Sequence, residues 1–401
     1  MRKTSFVLCL VCLLALGVLA KNNQWQLGLG LSEIGNEYYG SLSFRPDLNF
    51  GKFGIGLSLK VNINQNGLRK EDWQDNGKFN LAKTVANIIR YVRWGRLGDE
   101  LYIRLGELDN VIIGNGLIMD GYRNLSSEEI KADLRRLGVE IGGDVGIVGA
   151  HVMVNNALNP EVFALRPYVR PFYLVDAMPQ FIQNSSIGVI YTRDSRELSK
   201  MPYAFGLDLT VPLLNYLAVY GQTAELANKS RGYSIGARSF IGPLYIRGEY
   251  RHFDNNFIPA VYNWEYENKD AILKPLNEKA KGYLAEAGVN LLDEGLKLHL
   301  QYENMIFSNR DPVPALTGTA EVTPSLFASL TGRKGQIEAS YSQINYVKVN
   351  ELANSNTKID AKLSVELYKG LMGSYIYKIT YNQDKTPVRF QAFEVSLGGS
   401  F

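Results

Sequence analysis

Apolar and polar residues alternate one by one over long stretches of this chain. From Lys52 to Asn62, Phe53, Ile55, Leu57, Leu59 and Val61 alternate with Gly54, Gly56, Ser58, Lys60 and Asn62. Pro202 to Val211 sets Tyr203, Phe205, Leu207, Leu209 and Val211 against Ala204, Gly206, Asp208 and Thr210. Lys358 to Glu366 sets Ile359, Ala361, Leu363 and Val365 against Lys358, Asp360, Lys362, Ser364 and Glu366. Successive side chains of a strand point to opposite faces, so each stretch predicts a strand with one greasy and one polar face. The same reading predicts strands near 24–32, 37–45, 84–94, 99–107, 134–142, 145–155, 163–174, 185–193, 216–226, 231–241, 243–253, 280–291, 296–306, 325–332, 336–346, 371–382 and 393–401. Ten residues at about 3.3 Å each, tilted by about 45°, cover the roughly 25 Å apolar band of a membrane.

A β-sandwich alternates too, so the charge on the polar phase decides between the two. Lys358, Asp360, Lys362 and Glu366 share one such face, and Arg247, Glu249 and Arg251 another. A sandwich would turn these residues to water and cover the apolar face, whereas a wide barrel turns them to a wet lumen and the apolar face to lipid. Beyond residue 20 no apolar run approaches the length of a membrane helix, so any span must be made by a closed barrel, in which every backbone group is paired.

The two ends of the chain point the same way. Arg2 and Lys3 precede an apolar run from Phe6 to Leu19, and Val18-Leu19-Ala20 supplies a cleavage site. Residues 1–20 therefore read as a signal peptide, leaving 21–401 as a single domain. Cys9 and Cys12 both fall in the signal, so the remainder carries no cysteine and needs no disulfide. The last strand sets Phe393, Val395, Leu397, Gly399 and Phe401 against Glu394, Ser396, Gly398 and Ser400. This ending resembles the terminal strand of Gram-negative outer-membrane β-barrels, with Gly399 standing where such strands usually carry a bulkier residue. The resemblance implies a cell outer-membrane location after cleavage. It also implies that Phe401 belongs to the signal read by the outer-membrane assembly machinery, with that machinery and the lipid bilayer as partners.

Composition narrows the class. The 43 Lys+Arg and 40 Asp+Glu nearly cancel, which argues against nucleic acid as a partner. The 24 Tyr, 17 Phe and 38 Gly against only 14 Pro fit aromatic belts and tight turns. Short connections at 241–243, 292–295, 332–335 and 368–370 alternate with longer ones near 254–279, 307–324, 347–356 and 383–387. The expected fold is all-β: a closed antiparallel transmembrane β-barrel of about 18 strands, within 16 to 20, with short periplasmic turns and long extracellular loops.

Barrels of this size leave an aqueous channel unless something enters them. The candidate is 108–132, where Asn115-Gly116 between Val111-Ile112-Ile113 and Leu117-Ile118-Met119 signals a tight hairpin, followed by a capping box of Ser126 and Glu129 opening a helix toward Arg136. It is either a constriction folded into the lumen or an extracellular hairpin. Polar-phase residues Arg104, Arg136, Arg166, Tyr168, Arg170, Arg238, Arg247, Glu249 and Arg251 are the expected pore lining. Their excess of arginine favours anions weakly, while a solvated face or a ladder of ion pairs accounts for the same residues.

Catalysis would need a nucleophile or activated water beside a base, and the chain offers only His151, His252 and His299, with no HExxH and no GxSxG. No enzyme activity, metal or cofactor is therefore expected. The expected function is a pore for passive diffusion of small hydrophilic solutes, unselective or weakly anion-favouring. Other readings are an adhesin or structural barrel acting through loops such as 254–279, with Phe257, Tyr262, Trp264 and Tyr266; a hydrophobic-solute transporter; or a barrel hydrolase. Monomer and trimer stay equally open.

Overall fold

A computed structural model describes residues 24–34, 37–69, 74–75, 78–79, 88–126, 135–196, 201–268, 276–344, 353–368 and 371–400. The expected signal peptide 1–20, the expected insertion residue Phe401, and Glu129 with its expected helix lie outside these residues.

The chain forms one large sheet of 22 strands, every pairing within it antiparallel, with two small two-stranded sheets beside it. Pairing runs almost entirely between successive strands. Phe53–Leu57 and Leu59–Asn64 lie end to end along Glu37–Phe50, and Gly67–Leu68 is a stub paired to the second of them. From Tyr203–Leu214 onward each strand pairs with the next in chain order, the register shifting only between Val211 and Leu214 and between Glu366 and Tyr368. The first strand, Gln24–Ile34, pairs on one side with Glu37–Phe50 and on the other with the last strand, Pro387–Ser400, from Gln24↔Ser400 to Gly28↔Ser396.

Burial follows the alternation, but inside out. Along Tyr203–Leu214, Asp208 is 2 % exposed while Leu207 and Leu209, on either side of it, are 53 % and 45 % exposed. Ser234 and Gln222 are likewise buried, and Ile235 and Tyr250 are exposed. In a water-soluble sheet the signs would be reversed, because apolar area is what folding removes from water. The polar face is therefore the inner one.

Three expectations about elements change. The expected strand 325–332 is a helix, Pro324–Thr331. Proline stands in its first turn, where a missing N–H costs nothing, and Gly332 at φ 70° ends it in the left-handed region. The expected long loop 307–324 instead holds a full strand, Val313–Val322, paired on both edges. The expected strand 163–174 stops at Val169, and 170–185 is a long connection containing the one-turn helix Gln180–Gln183. It lies at the end of the sheet that holds the tight turns, where only short connections were expected.

Candidate functional site

Two connections leave the opposite end of the sheet and pack against its inner face. In the first, Val111–Ile113 pairs with Met119–Tyr122 around the tip Gly114-Asn115-Gly116. Leu108, Val111, Ile113, Ile118, Met119 and Tyr122 are at most 1 % exposed, so this hairpin does not stand out into solvent. The second, 254–268, brings Phe257, Val261, Tyr262 and Tyr266 to the same place, where 254–279 was expected to be an outer loop. The two are joined through the backbone: the amides of Ala260 and Tyr262 donate to the carbonyls of Leu117 and Ile118, at 2.9 and 3.1 Å, and the Asp120 amide donates to the Tyr262 carbonyl at 3.0 Å.

The wall accommodates this insert with an apolar collar. Met153, Ala164, Ile190, Ala204, Ala224, Phe253, Ala280 and Met305 all lie on the inner phase near the long-connection ends of their strands, and all belong to one buried cluster with the insert. Small residues set the fit. A Cβ on Gly206 would stand 2.9 Å from Ile118 Cδ1, and one on Gly232 would stand 2.6 Å from Phe257 Cζ. Both glycines are there because the insert passes too close for a side chain.

A polar lock holds the base of the insert. Glu267, fully buried, accepts from Tyr122, from Arg136 at 2.7 Å and from Arg196 at 3.1 Å. Arg196 also grips Asp194, to which the Tyr266 hydroxyl donates at 2.7 Å. Burial, with Tyr262 and Asp194 alongside, pushes the Tyr266 phenol far above its ordinary pKa and keeps it a donor.

The tip reaches a polar girdle on the inner face. Gln222 accepts from the Leu117 amide at 3.3 Å and donates to the Asn115 carbonyl at 3.2 Å. Arg238 donates to Asn115 Oδ1 and Arg247 to the Asn115 carbonyl, both at 3.2 Å. Gly114 at φ +66° sits over the paired Arg166 and Asp208, which bond through both guanidinium nitrogens at 2.7 and 2.5 Å. Next to it runs a chain of charge: Arg247 and Arg251 both hold Glu249 at 2.6 Å, and Arg251 goes on to Glu303 at 2.7 Å.

Five of the expected lining residues, Arg166, Arg238, Arg247, Glu249 and Arg251, thus meet at the hairpin tip with Asn115 and Gly116. The other four do not. Tyr168 and Arg170 bind Asp144 near the tight-turn end, and Arg104 binds Asp109 at the root of the insert. Arg136, expected on a strand, lies in the connection before Gly138–Asp144 and serves the polar lock. Tyr220 and Gln222 were not singled out, although both fall on the polar phase of Leu217–Leu226. The lone histidines His151 and His299 each bond a single wall acid, Glu140 at 2.9 Å and Glu286 at 2.7 Å, and His252 stacks on Tyr233. Among the described residues no group of three or more His, Cys, Asp or Glu is placed to hold a metal ion.

No protein-family model and no curated protein matches the chain. Solved structures do. A BenF-like porin from Pseudomonas fluorescens Pf-5 is similar at 10 % identity and a TM-score of 0.40, covering 95 % of this chain and 97 % of that one. A porin refined at 1.8 Å resolution is similar at 9 % identity and a TM-score of 0.37, covering 94 % of this chain and 99 % of that one. OccK11 (OpdR) of Pseudomonas aeruginosa is similar at 9 % identity and a TM-score of 0.35, covering 95 % and 94 %. At that distance the two faces of the sheet, and not its neighbours, carry the reading that follows.

Proposed function

We propose that this chain is a closed, porin-like β-barrel of a Gram-negative-type outer membrane, and that it passes small hydrophilic solutes by diffusion beside the inserted hairpin. The observation that carries the proposal is the inverted burial: charged and amide side chains inside, and Leu207, Leu209, Ile235 and Tyr250 outside. An exposed apolar surface that runs from strand to strand suits hydrocarbon and not water. The pairing of the first strand with the last supports closure, and counting the end-to-end pair once and leaving out the stub gives about twenty staves, at the upper end of the 16 to 20 expected. A cylinder that wide holds water unless filled, and the insert contacts only part of the wall.

The arginines support little anion preference in this reading. Arg166, Arg170, Arg247 and Arg251 are each matched to a wall acid. Arg238, stacked over Tyr220 at 5.5 Å, makes no ion pair among the described residues and is the one lining residue from which such a preference would arise. The wall opposite is balanced, with Lys297, Lys358, Lys362 and Lys378 against Glu321, Glu338, Asp360 and Glu366. We read Asn115 and Gly116 as the constriction and assign no catalysis. Planar-bilayer recording tests the proposal: stable openings with a reversal potential near zero in a salt gradient are expected, and a protein that inserts but never conducts overturns it.

A further inference from the structure

Resting on the membrane reading above, we propose that the connection 170–185 is a lipid-facing element, lying in the acyl-chain and headgroup boundary of the leaflet at the tight-turn end. Three observations lead there. The staves are unequal in length. Ala280–Leu291, Leu296–Phe307 and Thr357–Tyr368 have 12 residues each, whereas Ile89–Trp94 and Leu101–Gly106 have 6, and Gly138–Asp144 and Val148–Val154 have 7. At about 3.3 Å per residue and a tilt of about 45°, 12 residues rise about 28 Å and 7 only about 16 Å, against an apolar band of about 25 Å. The short staves are neighbours, so one sector of the wall falls short of the hydrocarbon it must match, and such a mismatch is costly along its whole width.

The connection lies where that deficit is. It joins Val162–Val169 to Ser186–Asp194, the two staves that follow the shortest ones, and exposes Phe172, Tyr173, Leu174, Val175 and Met178, with Leu174 72 % exposed. Asp176 is its only charge after Arg170. The segment is nonetheless held in place: Arg170 is clamped on Asp144, and the Gln183 amide donates to the carbonyls of Val175 and Met178. An ordered apolar surface with no cover among the described residues calls for an apolar surrounding.

The adjoining turn continues the same surface. Val145 and Ile147 are exposed beside it and Tyr173 packs on Gly146, so its grease is continuous with the outward residues Val148, Val169 and Ile187. At the same end of the sheet, below the long staves, the connections expose Leu292 and Leu330 singly and set Asp293, Glu294, Arg333 and Lys334 beside them. Lipid is therefore the occupant to which the observations commit, with aromatic Phe172 and Tyr173 suited to the boundary.

The test uses the full chain refolded into vesicles of phosphatidylcholine brominated at the sixth and seventh acyl carbons. Leu174→Trp and, as a control on a charged connection, Arg333→Trp are compared after subtracting the signal of the native tryptophans. We expect added fluorescence at 174 to be quenched at least about twofold by the brominated lipid and its emission shifted to the blue, with little change at 333. Unquenched, water-like emission at 174 overturns the proposal. So does an unquenched but blue-shifted emission in a protein that light scattering shows to be an oligomer, since a second copy would then be the cover. Conductance measured on the same variants is expected to be unchanged, which separates failure here from failure of the pore reading.

Discussion

The inner face of this sheet comes in two parts. From 138 to 253 the polar phase meets the insert, and most of its charges are buried and matched: Asp208 is fully buried under a two-pronged Arg166, and Glu249 lies between two arginines. From 296 to 381 the buried cluster around the insert takes in only Met305 and Phe307, at the long-connection end, and the cations on the rest of the polar phase are lysines held loosely. Lys378 stands 3.5 Å from Asp360 with both side chains about half exposed, and Lys297 is 3.7 Å from Glu321. The change from arginine to lysine follows from the surroundings. A planar fork keeps its hydrogen bonds when water is removed, whereas a hydrated ammonium on a flexible stem suits a wet wall. The first part of the wall is thus a docking surface, and in the proposed function the second is the bank of the channel.

The comparison breaks most visibly if the insert goes. Replacing Val111–Tyr122 with a short Gly-Ser link should raise single-channel conductance about threefold or more; an unchanged conductance would mean that the hairpin does not narrow the path. Next comes Asp208→Ala, which leaves Arg166 buried and unmatched. A loss of about 3–5 kcal/mol is expected from urea unfolding in vesicles, and a loss under 1 kcal/mol would show that water reaches the pair. Ile118→Ala opens a hole between insert and wall at Gly206. It should cost about 2–4 kcal/mol and make the open-channel current noisier as the hairpin loosens. The smallest effect is expected on the other bank: Lys378→Gln should change stability by about 0–1 kcal/mol and move the reversal potential slightly toward cations. A large destabilisation there would erase the distinction between the two walls.

Much of this was legible in the residues. Alternation gave most strands and the phase gave the right face, because a one-residue slip would put Asp208 and Glu249 on the exposed face with Leu207 and Leu209. The hairpin tip was legible through Asn115-Gly116, though its burial was not. The collar that receives it consists of Ala164, Ala204, Ala224 and Ala280 on the polar phase, and small apolar residues there look like gaps in a pattern and not like a socket. Two neighbouring elements exchanged roles for related reasons. Val313–Val322 carries Pro314 and Gly318, which read as loop. Leu326, Ala328 and Leu330 happen to alternate, which hid a helix announced at either end by Pro324 and Gly332. The lock around Glu267 joins residues more than seventy positions apart, and no local pattern marks it.

The bridge from Gln24 to Ser400 bears on the order in which the seams can close. Nearly every other seam in this sheet joins neighbours in sequence and closes a short loop, whereas this one joins residues more than 360 positions apart and has the greatest loop to close. Until Ser396–Ser400 arrives, Gln24–Ile34 has one unsatisfied edge. A chain cut short of Pro387–Ser400 would keep a raw margin along Gln24–Gly28 open to any other strand nearby.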